Sequence, residues 1–161
     1  MSTICVRLMA LMLLVSFTVQ AEVSVPSIFG SRMVLQRGQA NPVWGWAAPG
    51  EKITVTFAGQ KHTATAGKDG AWRVKLQPLK ANAKGQTLTI QGSNKLELID
   101  VLVGEVWVCS GQSNMAWSVD RSYDPDLESL TAKFPTIRLI SVPPVGTQEP
   151  VSYTHLRAHE T

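Results

Sequence analysis

Three stretches in the first hundred residues alternate apolar and polar side chains with a period of two. Ile53, Val55 and Phe57 alternate with Thr54 and Thr56, Trp72, Val74 and Leu76 with Arg73 and Lys75, and Leu88 and Ile90 with Thr87 and Thr89. Turn-forming pairs separate them at Pro49-Gly50, Asp69-Gly70 and Ser93-Asn94. Several short strands at this spacing predict a β-sandwich of jelly-roll type from about Val25 to Leu98. After Asp100 the pattern changes. Val101 to Val103 and Val106 to Val108 are continuous apolar runs rich in β-branched residues, which suits a strand covered on both faces of a parallel sheet. Asp124-Pro125-Asp126 caps and opens a helix expected to run to about Lys133, where Pro135 stops it, and Ile137 to Val142 forms the next strand. No internal repeat or low-complexity segment interrupts this order.

The two ends do not belong to either pattern. Arg7 precedes an apolar run from Leu8 to Val19, and Val19-Gln20-Ala21 supplies the small or apolar residues read by a signal peptidase. Residues 1–21 are therefore expected to be a signal peptide for secretion or export to a periplasm, with no membrane attachment after cleavage. A run of about 12 apolar residues is short for a bilayer span, which needs about 20. At the other end, residues 151–161 resemble the translation of a transposon-end adapter used to build sequencing libraries and are set apart from the fold; the alternative is a native tail carrying His155 and His159. The expected division is 1–21 signal peptide, 22–100 β-sandwich, 101–150 a strand-turn-helix-strand unit, and 151–161 adapter read-through.

Ser110-Gly111-Gln112-Ser113-Asn114 lies between the apolar run and the next polar stretch. Gly provides for a tight turn and Ser or Asn for a helix cap. A serine between a strand's carboxyl end and a helix's amino end has free backbone N–H groups beside it, which is where a developing oxyanion can be held. Gly-x-Ser alone is equally the composition of an ordinary strand-to-helix turn, so the residues by themselves leave both readings open.

The longer string Gly104-Glu105-Val106-Trp107-Val108-Cys109-Ser110-Gly111-Gln112-Ser113-Asn114-Met115 closely resembles the first catalytic block of the sialate O-acetylesterases, a branch of the SGNH (GDSL-like) hydrolases with an α/β/α three-layer domain. Met33-Val34-Leu35-Gln36-Arg37, Pro42-Val43-Trp44-Gly45-Trp46-Ala47 and Pro49-Gly50-Glu51 resemble the β-rich domain that precedes the hydrolase domain in bacterial members. The resemblance covers roughly Val25 to Val142. It implies an exported serine carboxylic ester hydrolase that removes acetyl groups from an O-acetylated sugar or glycan, without metal or organic cofactor. Ser113 would be the nucleophile and its own N–H one oxyanion donor, with Gly111, Gln112 and Asn114 fixing the turn and Trp117 a candidate for the pocket wall. The family's carboxy-terminal Asp-x-x-His is absent from this chain, so the resemblance implies an amino-terminal fragment carrying the truncated start of the hydrolase domain, inactive on its own. A non-catalytic carbohydrate-binding module and an acetylxylan esterase are the alternatives.

Composition narrows the classes. The 161 residues are 44% hydrophobic with a formal charge of +3, and no basic run or basic helix face points to nucleic acid. Cys109 is the sole cysteine beyond Cys5 of the leader, which excludes an internal disulfide; a buried, inert thiol is expected. Of the five tryptophans, Trp44, Trp46 and Trp72 are expected in the sandwich core and Trp107 in the buried strand. His62, among Lys61, Thr63 and Thr65, reads as a solvated strand histidine. Asp120, Asp124, Asp126 and Glu128 lack the spacing of a calcium loop and read as a solvated helix start. Expression in a bacterial host with secretion should yield a mature chain starting at Glu22; an intact mass that retains Met1 on exported protein would contradict the leader assignment.

Overall fold

The computed structural model describes residues 22–142 and the backbone of a short strand at 157–159. The expected leader and all of the expected adapter tail except that strand lie outside the described residues. Seven strands make up the amino-terminal part: β1 (Val34–Gln36), β2 (Asn41–Trp46), β3 (Lys52–Phe57), β4 (Gln60–Thr65), β5 (Ala71–Leu76), β6 (Asn82–Gln91) and β7 (Lys95–Gly104). They form a five-stranded mixed sheet in the order β1-β7-β6-β3-β4 and a two-stranded sheet β2-β5. Only β1 and β7 run parallel, with Val34, Leu35 and Gln36 opposite Leu102, Val103 and Gly104.

The alternating stretches become strands because one face of each is buried. Ile53, Val55 and Phe57 of β3, Leu88 and Ile90 of β6, and Val101 and Val103 of β7 meet Val43 of β2 and Trp72, Val74 and Leu76 of β5 in one core. Each large apolar side chain withdrawn from water there contributes about 1.5–3 kcal/mol. The turns expected at Pro49-Gly50, Asp69-Gly70 and Ser93-Asn94 are present, with Gly50 and Gly70 at positive φ. A β3–β4 hairpin turn at Ala58-Gly59, both at positive φ, is an addition that the sequence pattern did not single out.

Two polar nodes hold the loops. The Glu51 carboxylate accepts hydrogen bonds from the Ser93 and Ala48 N–H groups, and the first of these does most to hold its pKa below the ordinary carboxylate value. Asn94 closes the same end of the domain, accepting from Val23 N (2.7 Å) and donating to Val23 O (3.1 Å). Near the other end, buried Asn41 accepts from Gln36 N (3.1 Å) and donates to the carbonyls of Gln36 (2.9 Å) and Gln39 (3.0 Å).

Several expectations are corrected. Val101 to Val103 are buried, but in β7 of the β-rich part, and the strand ends at Gly104. Val106 to Val108 form no strand; Trp107 is 82% and Val108 91% exposed because no element among the described residues packs on them. Cys109 is exposed rather than buried. Trp72 is in the core, whereas Trp46 faces solvent and Trp44 is half-buried, because pairing Val43 with Val74 turns the odd-numbered residues of β2 inward. The expected helix is shorter, α1 (Pro125–Thr131), and Asp124, at positive φ, makes no side-chain cap bond. The following strand is β8 (Leu139–Ser141), exposed throughout and paired antiparallel with β9 (Arg157–His159).

Replacing Asn41 with Leu keeps the branching of the side chain but strands three backbone groups, so the chain should lose about 1–3 kcal/mol of stability. An unchanged midpoint in urea unfolding would show that these bonds contribute nothing net.

Candidate functional site

Between Glu105 and Val142 no residue is buried, and only Pro125 and Arg138 are half-buried. The segment containing Ser113 is therefore held to the β-rich part by its edges rather than by a core of its own. Its first tether is at Glu105. Gln36 Nε2 donates to Glu105 Oε2 (2.8 Å), Gln36 Oε1 accepts from Val106 N (2.7 Å), and the Arg37 guanidinium pairs with Glu105 Oε1. The Arg37 N–H donates to Gly104 O (2.8 Å), extending the parallel β1–β7 ladder by one step. Hydrogen bonding from Gln36, then from Arg37, lowers the Glu105 pKa below its ordinary value.

The second tether is at Asp100. Arg138 Nη2 donates to Asp100 Oδ2 (2.8 Å) while Nη1 donates to Pro135 O (2.6 Å), so the chain just before β8 is pinned to β7. Asp100 sits at positive φ (55°) where the β6–β7 register shifts. Opposite it, a Cβ on Gly85 would lie 2.1 Å from Asp100 Oδ1, so glycine there makes room for the carboxylate.

From Glu105 the chain runs without regular structure to a single 3₁₀ turn, Ser113–Ala116, in place of the expected strand-to-helix junction. Gln112 precedes it in extended conformation, and Met115 N donates to Gln112 O (2.9 Å). The N–H groups of Ser113 and Asn114 come before the first closed ring and have no partner within the turn. A Cβ on Gly111 would approach Met115 Cγ to 2.6 Å, so the absence of a side chain lets Met115 fold back over the turn. Trp117 follows directly; its indole Nε1 donates to Arg121 O (2.9 Å), tying this turn to the next one, Val119–Arg121, while its ring stays 61% exposed. Gly111, Gln112, Ser113, Asn114 and Trp117 are thus brought onto one exposed loop.

Among the described residues no hydrogen bond joins Ser113 to a titratable side chain. His62, the only histidine among the residues described with side chains, lies on β4 and shares a hydrogen bond with Gln60 Oε1 (3.1 Å). Among the described residues no group of three His, Cys, Asp or Glu side chains is arranged to hold a metal ion, and no helix is long and apolar enough to cross a membrane.

Comparison with known proteins assigns the family. Human sialate O-acetylesterase is 36% identical over 135 residues, covering 76% of this chain and 26% of its own length. The mouse sialate O-acetylesterase is 34% identical over 135 residues, again 76% of this chain and 25% of its own. A crystal structure of a carbohydrate acetylesterase from Xanthomonas citri superposes with a TM-score of 0.80 at 34% identity, covering 85% of this chain and 32% of that one. Over this span the chain belongs to the sialate O-acetylesterase family. It spans about a quarter of the length of the curated relatives it matches. No family model matches it.

Gln36, Arg37 and Glu105 are the site-holding residues that sequence reasoning left without a role, although two of the family-like strings contain them. The lowered Glu105 pKa fixes the pH response. The tether is present above the ordinary carboxylate pKa and is lost as pH falls through the lowered one. The protection of the Val106 amide, taken as the ratio of its intrinsic to its observed exchange rate at each pH, should fall on acidification across that lowered pKa, and Glu105→Gln should show the low protection already at neutral pH. Equal protection in both proteins at neutral pH would remove the carboxylate from the tether.

Proposed function

We propose that this chain is the amino-terminal part of an exported serine-dependent acetylesterase that removes acetyl groups from sugar hydroxyls, with sialic acids as the preferred carriers. The observation that carries the reading is the identity with sialate O-acetylesterases across three quarters of the chain. The structural likeness to a carbohydrate acetylesterase supports it independently. In this reading the residues after Glu105 open a three-layer α/β/α hydrolase domain, residues 22–104 form its accessory β-sandwich, and residues 1–21 direct export.

The chemistry follows from what an alkyl acetate requires. The Ser113 Oγ attacks the acetyl carbonyl as its proton passes to a base, and the carbonyl oxygen gathers negative charge in the tetrahedral intermediate. The N–H of Ser113, free of the 3₁₀ ring, donates to that oxygen. Collapse of the intermediate expels the sugar alkoxide, which takes up the proton, and water then releases acetate from the acyl-serine by the same steps. Gln112 and Asn114 fix the backbone on either side of the nucleophile, and Trp117 walls the pocket. The base and the remaining oxyanion donors are supplied from outside the residues described here.

A protein of the relatives' length that carries this amino-terminal sequence should hydrolyse aryl acetates and O-acetylated sialic acid. Ser113→Ala should lower its turnover by roughly three orders of magnitude or more with unchanged circular dichroism. The 161-residue chain alone should show no turnover above background, since a serine without its base is an ordinary alcohol. Full activity in the Ser113→Ala protein would dismiss Ser113 as nucleophile, and serine-dependent turnover by the 161-residue chain would bring His62 or the tail histidines back into the mechanism.

A further inference from the structure

The two-stranded sheet has one face in the core and one in solvent. Its outer face carries Pro42, Trp44 and Trp46 from β2 and Ala71, Arg73 and Lys75 from β5. Antiparallel register sets Trp46 opposite Ala71, Trp44 opposite Arg73, and Pro42 opposite Lys75. On the other side of Trp46 the chain adds a bridge at Ser24, with Ser24 N donating to Trp46 O (2.8 Å) and Trp46 N to Ser24 O (3.0 Å). Trp46 therefore stands between serine and alanine, two small side chains, and 41% of its surface is open.

Its backbone is closely held. A Cβ on Gly45 would fall 1.9 Å from Ser24 O, so only glycine permits this approach of the two segments. Trp44 is braced from the side by Phe29, ring centroids 4.7 Å apart and planes at 79°. The aromatic surface is thus fixed before any ligand arrives, which spares a binding partner the cost of ordering it.

The charge on this face has one sign. Arg73 and Lys75 are exposed and have no hydrogen-bond or ion-pair partner among the described residues, and none of the six outward side chains is acidic. Diagonal neighbours across a strand pair lie about 7–8 Å apart. A pyranose ring stacked on Trp46 would therefore bring a ring carboxylate within reach of the Arg73 guanidinium, whose planar fork matches a carboxylate.

We propose that the outer face of β2 and β5 is a binding platform for sialic-acid-bearing glycans, with Trp46 stacking on the sugar ring and Arg73 pairing with its carboxylate. The proposal extends the esterase reading by giving the β-rich part a hold on the same acidic sugars, and it needs neither Ser113 nor an acetyl group. This platform keeps a glycan beside the enzyme while successive acetyl groups are met.

The test is titration of the 161-residue chain with polysialic acid lacking O-acetyl groups, by calorimetry or affinity electrophoresis at low and moderate salt. Polysialate should bind, with Trp46→Ala and Arg73→Gln each weakening it at least about tenfold while circular dichroism is unchanged. Lys84→Gln, at an exposed position of β6, should bind as the parent does. Trp46→Phe, which keeps a ring on the strand, should retain most of the affinity and so separates stacking from folding. Failure of the parent chain to bind at millimolar sugar, undiminished binding by Trp46→Ala, or equal binding of neutral xylan or of polygalacturonate would overturn the proposal. Ser113→Ala should leave the titration unchanged, so a failed esterase reading and a failed platform are told apart.

Discussion

The parallel pairing of β1 with β7 is the constraint on which the rest of the chain depends. β7 is shared by two neighbours, antiparallel β6 and parallel β1, and its last three core residues, Val101, Leu102 and Val103, are all buried. A strand gripped on both edges cannot shift register without moving its apolar set out of phase with the core. The direction in which the chain leaves at Gly104 is therefore set by the core. Gln36 and Arg37 then carry that fixed direction one residue further, through Glu105 and the Val106 amide. The loop that carries Ser113 inherits its starting point from the β-rich part.

That arrangement gives a physical sense to strings that resemble the family but lie far from Ser113. Gln36-Arg37 belongs to the first β segment and Glu105 to the opening of the string that runs to Met115, yet they form one cluster. Glu51 and Gly50 close the opposite end, where the Glu51 carboxylate ties the turn after β2 to the turn before β7. Gly92 must be small there, since a Cβ would come within 2.4 Å of Glu51 Oε1 and 2.3 Å of Val23 Cγ2. Such residues act by fixing backbone, and a change in them reaches the loop through β7.

How much of this was legible in the sequence varied with how local the deciding physics is. The strands β3, β5 and β6 could be read because alternation of Val, Ile and Phe with Thr, Arg and Lys reports one buried face directly. The tryptophans of β2 could not be assigned the same way. Asn41, Val43 and Gly45 alternate with Pro42, Trp44 and Trp46, and bulk alone favours putting the indoles inside. Pairing with β5 decides otherwise, since Val43 must meet Val74 and the outward row must meet Arg73 and Lys75. That information sits about thirty residues away in the chain. The β6–β7 irregularity was hidden for the same reason: Gly85 and Asp100 look unremarkable apart and explain each other only when paired.

The loop after Glu105 shows the limit of reading apolar runs as buried strands. Val106, Trp107 and Val108 have the composition of a core strand, but hydrophobic side chains specify burial only if something is present to bury them against. Among the described residues nothing is, and the run stays exposed. Family resemblance located Ser113 where composition left two readings open, and the structure adds what neither provided: the loop is anchored at Glu105 from one side and through Arg138 to Asp100 from the other. Both anchors are polar and partly solvent-exposed, each of modest strength when isolated. They fix where the loop begins and where it returns, while leaving the conformation of the turn at Ser113 to whatever packs against its apolar residues. An oxyanion donor must be placed to within a few tenths of an ångström to be effective, and two surface tethers do not provide that precision. The β-rich part therefore supplies position along the sheet, and the final geometry of the turn at Ser113 has to come from contacts made by Val106, Trp107, Val108 and Met115.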